Sequence, residues 1–193
     1  MTYILCAFET EARALIDSYK LQKRNSHPFK LFYDEEVFII ISGMGQDKAE
    51  EAVEYLLLNF SHKKDDTFLN LGTCAGQKGF PIGSLVQVQQ LQDEEESHRM
   101  CIQNRDIQAV SCFSSPLPLD RPTATDIAEM EAIGIYRTIS KYFPLKKISF
   151  LKIVSDNFNP IPHKKAFIIK LTQDKLVEIK AHIELMKQGL ECL

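Results

Sequence analysis

The stretch that most constrains the fold is Leu69-Asn70-Leu71-Gly72-Thr73-Cys74-Ala75-Gly76, a buried-strand pattern that runs directly into small residues. A short apolar run bounded by glycine predicts a strand ending in a tight turn. In α/β sheets the carboxyl ends of such strands border the crevice where small ligands bind. Taken alone, a glycine-containing turn is more often a plain connection.

The surrounding pattern predicts strands that alternate with helices. Tyr3–Ala7 reads as a first strand, followed by a helix with Thr10 as N-cap and Ala12, Leu15, Ile16 and Tyr19 on one face. Phe29–Tyr33 and Val37–Ser42 flank Asp34-Glu35-Glu36 as a hairpin, closed by Ser42-Gly43-Met44-Gly45. Asp47–Phe60 has helical spacing, and strands are expected at 67–71, 85–88, 107–113 and 148–155. A helix is expected from Ile127 to Tyr142, capped by Asp126, with Asp93–Glu96 as an exposed loop. A closing helix carries Leu176, Ile179, Ile183, Met186 and Leu190 on one stripe. This order predicts an α/β fold in three layers, a mixed central β-sheet flanked by helices, in one domain spanning 1–193.

A chain of 193 residues with 45% hydrophobic content can bury a core without metal or disulfide support. A formal net charge of −3 gives no long-range attraction to nucleic acid or anionic membranes, so a small-molecule ligand is the expectation. The five cysteines show no CxxC or Cys/His spacing, which fits reduced thiols in the cytoplasm rather than a disulfide framework or zinc site. The first residues lack a basic segment and their apolar run breaks at Glu9, so no signal peptide is expected. No run approaches the roughly 18 apolar residues of a membrane span.

Glu11, Thr73 and Asp156 each fall just after, or at the end of, an expected strand, which would gather them at one crevice. Glu11 is also placed as a helix-dipole partner, and Asp156 as a turn or cap residue. Glu131 stands among apolar neighbours, where an unpaired carboxylate is costly. Met130 and Phe113 are compatible with core packing as well as with a ligand surface.

Five short segments in order, Glu11 with its strand, Ser42-Gly43-Met44-Gly45, Gly72–Gly76, Glu129-Met130-Glu131-Ala132 and Val154-Ser155-Asp156, resemble the nucleoside phosphorylase/nucleosidase superfamily. The pattern is most similar to the methylthioadenosine/adenosylhomocysteine nucleosidases. The resemblance implies hydrolysis of the N-glycosidic bond of a purine nucleoside, with Asp156 as the acid at the base and Glu11 holding the attacking water. It places Glu131 and Met130 at the ribose, and Thr73, Met44, Phe113 and Ser155 along the substrate. It implies no metal or organic cofactor, and a homodimer. In phosphorylases of the superfamily an Arg stands where this chain has Asn70, so hydrolysis is favoured over phosphorolysis. Where the nucleosidases have Arg in the strand leading to the acid, this chain has Lys152, which keeps the charge without the bidentate geometry. The region between Gly76 and Glu129 is also shorter than in the nucleosidases. A phosphate-dependent phosphorylase and a non-catalytic nucleoside-binding member of the superfamily are the alternative expectations.

Overall fold

The computed structural model of the chain describes residues 1–25, 27–159 and 163–189. Four strands rich in β-branched and aromatic residues form its parallel centre: β1 (Thr2–Cys6), β4 (Val37–Ile41), β5 (Thr67–Gly76) and β10 (Ile148–Asp156). Parallel pairing runs β4–β1–β5–β10, and nearly every residue of these strands is buried. Such continuous burial is what strands covered on both faces require. β2 (Gln22–Asn25) and β3 (Lys30–Tyr33) extend the β4 side antiparallel, giving the expected hairpin and one further strand beyond it.

On the other side the sheet closes on itself. β6 (Leu85–Gln92) pairs antiparallel with β10 and parallel with β8 (Gln108–Ser114). β8 pairs with β9 (Ile127–Glu129), and β9 returns antiparallel to the end of β5. β5, β10, β6, β8 and β9 therefore form a ring, with β7 (Ser97–Arg99) attached to β6.

Alternate residues feed two separate cores. Leu5, Ile40, Phe68 and Phe150 pack with Ala49, Val53 and Leu56 of α2 (Gln46–Asn59) and Ile133 of α3 (Ala132–Ile139). Ile4, Ile39, Leu69 and Leu151 face Ala12 and Leu15 of α1 (Glu9–Tyr19), Ile168 of α4 (Lys165–Asp174), and Ile179 and Ile183 of α5 (Leu176–Gln188). The period-2 alternation of a strand explains the division. The result is the expected three-layer α/β fold with a mixed sheet.

Several local expectations are corrected. The Gly72–Gly76 segment continues β5 as a strand, because β10 and β9 pair with it along its length. The helix expected from Ile127 begins only at Ala132: residues 127–129 are β9, and Asp126 accepts hydrogen bonds from the Ser111 N–H and Oγ instead of capping a helix. Phe8, not Thr10, is the N-cap of α1. The Asp93–Glu96 run is not merely solvated, since Asp93 and Glu96 both bind Arg137 of α3. Cys6, Cys74 and Cys112 are free and buried, but Cys101 is disulfide-bonded, against the expectation of reduced thiols throughout. Leu190, the last position of the expected apolar stripe, lies outside the described residues.

α3 is held unusually close to α2. A Cβ at Gly134 would lie 2.5 Å from the Gln46 carbonyl oxygen, so only glycine permits this approach. The contact brings the start of α3 against the turn that precedes α2.

Candidate active site

Glu11 occupies the third position of α1, and its carboxylate reaches back to the helix start. Oε2 accepts the Phe8 N–H at 3.0 Å, satisfying an amide that the first helical turn leaves without a partner. Oε1 accepts the Thr73 N–H at 2.8 Å and the Thr73 Oγ at 3.0 Å, joining α1 to β5 across 62 residues. Glu11 is 3% exposed. Burial pushes its carboxyl above the usual carboxylate range, opposed by these hydrogen bonds and by Lys152. Three donors occupy three of the approximately four lone-pair directions of a carboxylate.

Glu131 is the N-cap residue of α3, and its Oε1 accepts the Gly45 N–H at 2.9 Å. That bond ties the Glu131 carboxylate to the Ser42–Gly45 turn. Burial and the neighbouring Glu129 carboxylate raise Glu131 to about 7. Met44, in the same turn, is 48% exposed, and Met130 is half-buried between β9 and α3. Phe113 is half-buried in β8, paired with Ala128 of β9.

Asp156 closes β10. A bulge between Val154 and Asp156 inserts Ser155 without a partner on β5, which re-aims the strand end. Ser155 is buried, and its hydroxyl lies 3.1 Å from the Cys74 carbonyl and 3.0 Å from Asp156 Oδ2. The Asn159 N–H donates to Asp156 Oδ1 at 3.1 Å, and His163 Nε2 lies 3.4 Å from Oδ2. Thus Glu11 and Thr73 are bonded directly, Glu131 joins the Met44 turn, and Ser155 and Asp156 form a third group anchored one residue beyond Thr73 on β5. Met130 and Phe113 make no hydrogen bond or ring contact with these groups.

The buried pair Lys152–Glu129 had not been read as a unit in the sequence. Lys152 Nζ donates to Glu129 Oε2 at 2.7 Å, with both side chains fully buried. Its signal was available: a lysine inside Ile148-Ser149-Phe150-Leu151-Lys152-Ile153-Val154 that stays charged when buried calls for a carboxylate partner. Gln46 and His163 were also missed, the former donating to the Ser114 carbonyl at 3.1 Å. Asn70 is buried and donates to the Leu5 carbonyl at 3.1 Å, so this position offers no cation to a phosphate. Among the described residues no cluster of His, Cys, Asp and Glu could hold a metal ion, and no helix is long and apolar enough to cross a membrane.

A cleft of about 480 Å³ lies beside this constellation, lined by Phe8, Lys30, Ser42, Gly43 and Lys48 among others. Glu11, Thr73, Glu131 and Asp156 do not line it.

No protein-family model matches the sequence, and no curated protein matches it. Solved structures do match the fold. The 5′-methylthioadenosine nucleosidase of Arabidopsis thaliana in apo form superimposes with a TM-score of 0.78 at 16% identity, covering 98% of each chain. The futalosine hydrolase of Helicobacter pylori strain 26695 gives 0.79 at 13% identity, covering 95% of this chain and 97% of that one. The MTA/SAH nucleosidase of Colwellia psychrerythraea 34H, in complex with adenine, gives 0.73 at 14% identity, covering 98% and 95%. The chain has the fold of these nucleosidases along nearly its whole length.

Proposed function

We propose that the protein is a purine nucleoside N-ribosyl hydrolase acting on a methylthioadenosine- or adenosylhomocysteine-like substrate. The observation that carries this reading is the joining of Glu11 to Thr73 and of Glu131 to Gly45 within a nucleosidase fold. The fourth acceptor direction of Glu11 is left for a water molecule. That water's oxygen attacks C1′ as the bond to the base nitrogen breaks. Its proton passes to Glu11, and the bonding electrons leave with the base.

Asp156 supplies a proton or hydrogen bond to the departing purine, an effect worth about 10²- to 10⁴-fold in rate. Glu131 accepts the ribose hydroxyls, with Met130 on the sugar face. Thr73, Met44, Phe113 and Ser155 line the remaining contacts, Thr73 and Ser155 chiefly by holding the two catalytic carboxylates. The same reading expects a cytoplasmic homodimer.

The test is incubation with methylthioadenosine in phosphate-free buffer. Release of adenine and free methylthioribose supports hydrolysis. Release only after phosphate is added would make the protein a phosphorylase. Tight binding without release would make it a non-catalytic nucleoside-binding protein.

A further inference from the structure

Lys152 stands in β10 between Leu151 and Ile153 with no exposed surface. The carboxylate it binds, Glu129, also accepts the Glu131 N–H at 3.0 Å and the Ala132 N–H at 2.9 Å. An ammonium and two amides therefore converge on Glu129, which spans the head of α3 and fixes the backbone of Glu131. A second relationship runs the other way. A Cβ at Gly72 would lie 3.5 Å from Lys152 Nζ and 3.4 Å from Glu11 Oε1. The ammonium and the Glu11 carboxylate thus flank one position that carries no side chain.

We propose that Lys152 is a positioning residue for nucleoside cleavage: it clamps Glu129 across the first turn of α3, fixing Glu131, and faces Glu11 across Gly72, linking the ionisation of these two carboxylates. The proposal rests on the nucleosidase reading above. One buried cation serves Glu129 on β9, Glu131 at the start of α3 and Glu11 on α1. The other titratable groups facing it are the thiols of Cys6, Cys74 and Cys112 on β1, β5 and β8, which burial keeps protonated. Burial alone would push the ammonium down, but Glu129 and Glu131 outweigh it and hold Lys152 charged. A substrate diol that binds ionised Glu131 therefore changes the field felt by the water-binding carboxylate.

Carboxyl ¹³C NMR titration of Glu11 and Glu131 tests this in Lys152→Met and Glu129→Gln. Removing the cation should raise both midpoints, whereas neutralising Glu129 should lower that of Glu131. A purely structural role would not produce opposed shifts. Lys152→Met should also lose at least about tenfold in kcat/KM near neutral pH and regain much of it at higher pH, as the displaced carboxylates ionise. If Lys152→Met leaves Glu129 buried and unpaired and does not fold, the double variant Lys152→Met/Glu129→Gln removes both charges, and the Glu11 midpoint is read there. A Glu11 midpoint equal to wild type in either folded variant overturns the proposal. The midpoints are measurable whether or not the wild type releases base, so failure of the nucleosidase reading and failure of the charge linkage are seen separately.

Discussion

The Gly45 amide meets the Glu131 carboxylate at 2.9 Å across 86 residues of chain. This bond exists because Gly134 lets α3 rest on the Gln46 carbonyl, and because Glu129 and Lys152 hold the start of α3 in place. A motif that looks local in the sequence is thus assembled from α2, α3, β9 and β10.

Glu131 should give kcat/KM an acid limb near pH 7, since in the proposed function its ionised form is the one that accepts both ribose hydroxyls. Ribonucleosides should be preferred over 2′-deoxy analogues by at least about tenfold, and Glu131→Ala should erase most of that preference. The stability effect has the opposite sense. A folded-state value raised from 4.5 to about 7 means that the folded chain holds a proton the unfolded chain has released, so stability falls as pH rises through that window. Glu131→Gln should raise Tm more at pH 8 than at pH 5, which thermal melts at the two pH values will measure.

Glu11→Gln should abolish hydrolysis while leaving the binding of a substrate analogue within about tenfold, because the proposed partner of the carboxylate is water rather than nucleoside. Calorimetric binding alongside turnover separates the cases. A parallel fall in both would make Glu11 a residue that shapes the pocket.

Asp156→Asn should fold normally and lose at least about 10²-fold in base release, since an amide does not deliver the proton. Single-turnover kinetics provide the measurement. Near wild-type turnover would remove Asp156 from the acid role.

The layers, the parallel centre and most helix faces were legible in the sequence because burial on both sides of a sheet leaves long apolar strands, and packed helices leave a 3.6-residue stripe. Glu11 and Asp156 stand out for a related reason, since they follow or end such strands, whereas Thr73 lies inside β5, three residues short of its end. The ring closure was not legible. β9 has only three residues, too few to show a period, and its apolar Ile127 and Ala128 merge with the stripe of α3 into an apparent single helix. The break lies at Glu129–Glu131, where the Glu129 carboxylate replaces the missing turn by accepting the first amides of α3. The Lys152 pairing escaped because its partner is 23 residues away, and spacing does not reveal a contact made only in the closed ring.

Gly134→Ala should be destabilising beyond the loss expected of ordinary overpacking, typically about 1–3 kcal/mol, because its methyl group meets backbone rather than a movable side chain. The displaced helix should also carry Glu131 away from Gly45. Chemical denaturation and ribonucleoside kcat/KM should fall together. A variant with unchanged stability would show that α2 and α3 can separate freely.

His182 predicts acid sensitivity away from the site. It is fully buried on α5, with Nε2 2.8 Å from the Ser149 hydroxyl, and burial lowers it from 6.5 to about 4. The unfolded chain therefore takes up a proton that the folded chain refuses, and stability should decline as pH falls from about 6.5 towards 4. His182→Gln, which keeps a partner for Ser149 without the titrating ring, should flatten that decline in denaturation curves.

The closed ring divides the constellation mechanically. Thr73, Phe113, Glu129, Lys152 and Asp156 stand on strands of a hoop, where Phe113 and Lys152 are paired on both flanks and Thr73, Glu129 and Asp156 on one. Glu11 and Met44 stand outside the hoop, on the first turn of α1 and on a short turn between β4 and α2. Glu11 is nevertheless tied to the hoop through Thr73, so the exposed Met44 turn is the compliant member of the set. In the proposed function, ligand exchange should therefore work through the turn before α2 rather than through the sheet.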